Sequence, residues 1–334
     1  MPNNIALRNP QYKFIAVPSS GVLSVSCTIT IEGTLRYTLI KNVSPSTGAN
    51  FDISELARDY LNISYSGTYA IGKINIVSVV STHPSLNGVG TAVASITYTE
   101  VGYEAYGKFT EGSNPSPPYK SGAQFLIAPN TTAVHSSERF QIFVPIGQAG
   151  YISVTNSSGT FITTAYNGTD TALISQGMKC NINRIDCTKY GNGTKIIFIN
   201  RYGVQQDLWF FLKKSETVNR TNESYQSNTI QYPDDEFAQY EIKNAPNKLL
   251  NTKAKQSFSL SSGYYPEFAN AFFEQLLLSE YVWIERPKLD TTALEVVPVI
   301  VKSSNIAFKT SVNDRLIEYT MEFEEAFDYI NNIR

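Results

Sequence analysis

The sequence predicts a mostly-β protein, made of β-sandwich-type domains with a few short helices and an α+β C-terminal region. Three observations carry that expectation. Apolar and polar residues alternate with period two over many short runs, the pattern of strands with one buried face. Turn signals such as Asn167-Gly168 and Gly191-Asn192-Gly193 recur between the runs, as in a sandwich. Tyr and Phe number 21 and 18 beside 3 Met and 2 Trp, a balance that suits strands joined by polar turns.

Residues 1–109 read as an N-terminal β domain with one short helix. The runs "QYKFIAV", "VLSVSCTITIEG" and "TLRYTLIK" are strand-like. Val25, Cys27, Ile29 and Ile31 alternate with Ser26, Thr28 and Thr30, which marks a half-buried strand. "FDISELARDYL" breaks the rhythm: Asp52 and Glu55 have capping-box spacing, and Leu56 and Tyr60 share a helical face. "YAIGKINIVSVV" and "GTAVASITYTEVGYEAYG" resume the strands.

Residues 110–122, "TEGSNPSPPYKSG", read as a linker with three prolines and two glycines. Residues 123–235 read as a central β-sandwich domain, with strands at "QFLIAP", "RFQIFVP", "YISVTN", "TFITTAY" and "KIIFINRYGVQQDLWFF". Its last part, residues 214–235, is polar and is expected to be a surface arm or loop. Residues 236–334 form the α+β region. Pro266 suits a first helical turn, and Phe268, Phe272 and Leu276 repeat at i, i+4. "YVWIE" and "EVVPVIVK" are strands, and a final hairpin is expected from "NIAFKT" through "SVND" to the alternation of Ile317, Tyr319, Met321 and Phe323.

Charge narrows the function. Lys and Arg number 27 against 29 Asp and Glu, a net of −2, without the basic surplus of a protein that lives on phosphate backbones. No apolar run of about 20 residues exists to span a bilayer, and the N-terminus lacks the layout of a signal peptide. Synthesis in a cytoplasm, with retention there or release by lysis, is expected, with no membrane partner. Cys27, Cys180 and Cys187 are too few for a disulfide framework; Cys180 and Cys187 are in reach of pairing, but free buried thiols fit better. His83 and His135 are the two histidines, and both read as solvated turn residues. No Walker loop, zinc-protease helix, nucleophile elbow or calcium loop is present, and "GVGTAV" lacks a dinucleotide context. The acidic run Asp234, Asp235 and Glu236 reads as solvated loop. No catalytic residue, cofactor site or metal site is assigned, and the chain is not expected to be an enzyme. Paired carboxylates of a glycoside hydrolase are the enzyme idea hardest to set aside from sequence.

The block Trp209, Phe210 and Phe211 asks for a separate account. Base stacking would want interleaved Lys and Arg, and only Arg201, Lys213 and Lys214 flank it. Two readings stand: sandwich core, or core with one face against a neighbouring subunit. On the second, Trp209, Phe210, Phe211, Tyr281 and Trp283 are candidate subunit-interface residues, together with the arm from Asn219 to Asp235.

Five ordered stretches add a resemblance. They are "YGKFTEGSNP", "CTKYGNGTKIIFINRYGVQQDLWFF", "LLNTKAKQSFSLSSGY", "EQLLLSEYVWI" and "FKTSVNDRLIEYTMEFEEAFDYINNIR". Together they resemble a virion structural protein, a tail or neck ring protein, of crAss-like and related tailed bacteriophages of Bacteroidetes. The likeness covers mainly Tyr106 to Arg334, and none of these stretches is catalytic. It implies a homo-oligomeric ring, six- or twelve-fold, in the tail barrel or head-to-tail connector. Its partners would be neighbouring tail or portal proteins, with genomic DNA passing through the lumen. A receptor- or carbohydrate-binding tail appendage is the alternative, with Trp209 and Trp283 as sugar platforms. A surface glycan-binding lipoprotein would need a lipidation cysteine near its start, and Cys27 has neither the position nor the neighbours.

Overall fold

In the computed structural model the described residues are 3–17, 21–44, 48–67, 72–114, 193–201, 203, 205–231, 237, 239–240, 242–265, 267–287, 293–310 and 317–330, together with the backbone of seven strands between 124 and 185. The fold is mostly β, with two short α-helices among the described residues.

The N-terminal part holds β1 (Asn3–Ala6), β2 (Tyr12–Ala16), β3 (Ser24–Ile31), β4 (Thr34–Asn42), β5 (Gly48–Asp52), α1 (Ser54–Arg58), β6 (Lys73–His83) and β7 (Ala94–Tyr103). Five strands make a sheet in the order β1-β7-β6-β3-β4, and β2 pairs with β5 as a separate ribbon. The alternation in β3 is realised: Val25, Cys27, Ile29 and Ile31 are buried against Ile15, Phe51, Ile53 and Ala57 from the ribbon and α1. Each such aliphatic side chain contributes roughly 1.5–3 kcal/mol by leaving water. β3 and β4 join through Glu32 and Gly33, both with positive φ, the backbone of a two-residue hairpin turn. Asp52 stands two residues before α1 and accepts from the Ser54 N–H (3.0 Å) and hydroxyl (2.7 Å). Ile53, not Asp52, occupies the N-cap, so the expected capping box gives way to a turn around Asp52.

The linker anticipated at 110–122 is described only as far as Asn114. The following strands are β8 (Gln124–Ala128), β9 (Val134–His135), β10 (Arg139–Pro145), β11 (Gly150–Thr155), β12 (Phe161–Tyr166), β13 (Thr171–Leu173) and β14 (Lys179–Ile185). They form a four-stranded sheet, β12-β11-β8-β9, and a three-stranded one, β10-β14-β13. The side chains of His135 and Cys180, and Cys187 with the acidic run at 234–236, lie outside the described residues.

The third part contains β15 (Thr194–Ile199), β16 (Gln205–Phe210), β17 (Lys214–Gln226), β18 (Ile230–Gln231), β19 (Gln239–Tyr240), β20 (Asn247–Ser261), α2 (Asn270–Leu277), β21 (Val282–Pro287), β22 (Leu294–Val301) and β23 (Thr320–Glu325). Its seven-stranded antiparallel sheet has the order β16-β15-β21-β22-β23-β20-β17. Strands from both sides of residue 235 therefore share one sheet, and the boundary expected between a central and a C-terminal domain does not divide them. Sequence order hides this because β15 finds its second partner, β21, more than eighty residues away.

The sheet is rolled. β16 and β23 are four places apart, about 19 Å in a flat sheet at ~4.8 Å per strand. Yet the Phe210 and Phe323 rings have centroids 5.7 Å apart. The two edges are also one stretch of chain: after β16, Phe211 N–H donates to Ser262 O and Leu212 N–H to Ser261 O, both at 3.3 Å, and β17 then continues along β20. Inside lie Ile196, Phe198, Leu208, Phe258, Met321 and Ile284, and α2 closes the interior with Phe272, Phe273 and Leu276. The helix is shorter than its apolar pattern suggested, because residues 267–269 form a 3-10 turn ahead of it. The anticipated final hairpin is also revised. β23 pairs with β20 and β22, and Ile317 bridges to Tyr265, while residues 302–310 of the "NIAFKT" region are not strand. Burial of Met321 and Phe323 selects those longer-range partners.

Candidate assembly interface

The aromatic block belongs to the chain's own core. All six residues of β16 are buried, and Phe211 continues the buried run. Phe210 meets Phe273 and Phe323 edge-on at 6.1 and 5.7 Å, and Phe211 tilts against Tyr265 at 5.4 Å. The Tyr265 hydroxyl donates to Trp209 O at 2.7 Å. Trp209 is 8% exposed and Trp283 7%, so neither presents a ring face to a partner. Trp283 packs on Tyr65 at 5.9 Å, where the segment after α1 crosses the outside of the rolled sheet. Tyr281 alone of the five candidates keeps part of its surface, stacked on Trp283 at 6.4 Å. Little of these five side chains is left for a neighbouring copy to cover.

Charge groups gather instead where the N-terminal part meets the rolled sheet. Arg58 donates to Glu104 through Nε at 2.8 Å and also pairs with Glu280, while Arg8 reaches Glu280 at 3.0 Å. Glu280 is partly buried, which pushes its carboxyl up, but the hydrogen bond from Arg58 and the charges of Arg8 and Arg58 outweigh this and hold it below the usual range. Lys108 pairs with Glu274 at 2.9 Å and Arg201 with Glu111 at 2.5 Å. Lys195, buried beside Asp207 and Glu285, bonds Glu285 at 2.7 Å; burial pulls its ammonium down, but the two carboxylates raise it further. The pairs of Arg8 and Arg58 with Glu280, Lys108 with Glu274 and Arg201 with Glu111 join the two parts, while Lys195–Glu285 braces β15 against β21 inside the rolled sheet.

Two nucleophile-bearing groups differ from the sequence expectation or sharpen it. His83 is buried rather than solvated: Nε2 lies 2.8 Å from Ser26 Oγ and Nδ1 3.1 Å from Gly90 O. The Nδ1–H donates to the Gly90 carbonyl, which leaves Nε2 to accept from the serine hydroxyl. Both side chains are buried, and the pair ties β3 to the end of β6, its neighbour inside the sheet. Cys27 is free, and burial pushes its thiol up to about 11, an inert state.

Within the stretch expected as a polar arm or loop, 214–235, residues 214–226 form a strand that is the most prominent exposed feature among the described residues. β17 and β20 pair from Lys214↔Leu260 to Gln226↔Asn247, with one bulge at Glu223/Ser224. Ser257 is the last residue of β20 to pair with β23, at Glu324, and the segment after β23 still follows β20 as far as Ala254, whose carbonyl accepts from the Tyr329 N–H at 2.7 Å. The six residues from Thr221 to Gln226 thus run on as a two-stranded ribbon about 20 Å long at ~3.3 Å per residue. Every residue of β17 is exposed. Val218, Tyr225, Leu249 and Leu250 stand in solvent along it, and at its far end Phe237 and Ile242 are each 95% exposed. Sequence reading missed this strand because nothing buries either face, so no alternation is written into "KSETVNRTNESYQ". The signals it does carry are Thr217, Val218, Thr221 and Tyr225, all strand formers.

Among the described residues no three His, Cys, Asp or Glu side chains gather into a metal-holding group, and no helix is long and apolar enough to cross a membrane. Comparison with protein-family models, with curated proteins and with solved structures gives no match to this chain.

Proposed function

We propose that the chain is a non-enzymatic structural subunit of a bacteriophage virion, forming a ring in the tail barrel or head-to-tail connector. The observation that carries the reading is the exposed ribbon of β17 and β20 with its uncovered apolar end. An isolated two-stranded ribbon is marginal in water, and leaving Phe237, Ile242, Leu249 and Leu250 exposed has a cost that a partner surface removes. Such a projection suits a heterologous contact, in which one face of a subunit meets a different face of the next and a ring closes. The stretches between Tyr106 and Arg334 that resemble phage ring proteins support the same reading and supply its setting. Six or twelve copies would enclose a lumen for genomic DNA, between neighbouring tail or portal proteins, after assembly in the host cytoplasm.

A sugar-binding appendage has less behind it. Its platforms would be Trp209 and Trp283, and both rings are spent on internal packing. The deciding experiment is light scattering with negative-stain imaging of the purified chain over a concentration series, beside mass spectrometry of the virions. Annular particles and presence in virions are expected. A monomer at every concentration, together with absence from virions, overturns the proposal.

A further inference from the structure

We infer that the ribbon of one subunit docks on the acidic C-terminal strip of the next copy, residues 318–330; this rests on the ring reading above. The two surfaces are complementary in charge. β17 and the outer part of β20, residues 247–256, carry five basic residues against two acidic ones. Residues 318–330 carry five acids, Glu318, Glu322, Glu324, Glu325 and Asp328, and no Lys or Arg.

The unpaired members lie on the outside. Arg220, Lys248 and Lys253 are exposed and form no ion pair among the described residues, and the same is true of Glu322 and Asp328. The match is made once within the chain, where Lys255 at the root of the ribbon lies 3.3 Å from Glu324. The strip follows its own ribbon as far as Ala254, which accepts from the Tyr329 N–H at 2.7 Å, and along the ribbon no ion pair is made beyond Lys255 among the described residues. Glu322 sits opposite Ser259, and Lys253 lies six residues further along β20, about 20 Å away at ~3.3 Å per residue. Lys248, with Leu249 and Leu250, lies four to six residues beyond Ala254, where a head-to-tail neighbour can bring its own strip. Apolar surface accompanies charge on both sides: Val218, Leu249 and Leu250 on the ribbon, Phe327, Tyr329 and Ile330 on the strip. Complementary charges set register and partner choice, and the apolar side chains supply the driving force.

A charge exchange tests this. The ribbon variant carries Lys248→Glu and Lys253→Glu, and the strip variant Glu322→Lys and Asp328→Lys. All four sites are exposed, so circular dichroism and melting should match the unmodified chain. Each variant alone should need about a tenfold or greater rise in concentration to assemble. Mixed one to one, the two should assemble like the original, because an alternating ring of six or twelve pairs every ribbon with an opposite strip. Rings that form unchanged from either variant alone, or a mixture that fails to recover, overturn the docking while leaving the ring reading intact. An unmodified chain that stays monomeric throughout overturns both.

Discussion

Phe210 and Phe323 touch edge to face, 5.7 Å between ring centroids, although three strands separate theirs in the sheet order. That contact exists only because the sheet rolls until its ends meet. Phe323 is fully buried and also anchors the middle of β23. Phe323→Ala should therefore cost about 3–5 kcal/mol, the range for an aromatic removed from a packed core. Chemical denaturation of the variant measures it. A loss below about 1 kcal/mol would mean the interior collapses to fill the gap and the contact is incidental.

The turn after β20 makes a second point. Gly263 has φ +77°, and a Cβ there would run into the ring of Phe211. Gly33 has nearly the same φ, +76°, with open space around it. Both alanine variants carry the ~1–2 kcal/mol of a left-handed backbone. Gly263→Ala adds overpacking of roughly 1–3 kcal/mol more and should melt clearly below Gly33→Ala. Equal melting temperatures would show that the Phe211 ring moves aside freely.

How much of this was legible beforehand differs by element. β3 announces itself because one face is buried and its alternation is written in Val25, Cys27, Ile29 and Ile31. β17 is as long as any strand but one, yet it buries nothing and so leaves no pattern. The pairing of β15 with β21 is a matter of which apolar faces meet at long range, which local composition does not encode. For the same reason "LWFF" gives hydrophobicity but not the side that covers it. Trp209 and Trp283 turn out to be enclosed within their own chain, while the exposed apolar residues sit in polar surroundings such as "NKLLNTK".

Lys13 Nζ and Glu100 Oε1 lie 2.5 Å apart with side chains 3% and 6% exposed. Two charges taken out of water depend on each other, so removing one strands its partner. Lys13→Met should destabilise the N-terminal sheet by about 3–5 kcal/mol. The double variant Lys13→Met with Glu100→Leu should recover most of that, since an apolar pair needs no solvation. Denaturant midpoints of the two singles and the double decide it. If the double loses as much as the singles combined, the pair contributes no coupling and the account fails.

The junction between the N-terminal part and the rolled sheet should loosen in acid. Partial burial raises the carboxyls of Glu280 and Glu111, but Arg58 and Arg8 on the first, and Arg201 and Lys108 on the second, hold both below the ordinary value of 4.5. A carboxyl whose folded value is depressed contributes stability that is fully present above its unfolded value and fades as pH falls through the folded one. The ion pairs Arg58–Glu280 and Arg201–Glu111 are thus intact at neutral pH and lost as pH falls below 4.5. Small-angle scattering across an acid titration should show the chain expanding while the far-ultraviolet signal of the sheets persists. Arg58→Met removes the group that holds both Glu104 and Glu280, and the expansion should then begin at higher pH. Salt should act in the same direction, because these partly exposed pairs are screened. An expansion midpoint that Arg58→Met leaves in place would mean that apolar contacts such as Tyr65 on Trp283, not the charges, hold the two parts together.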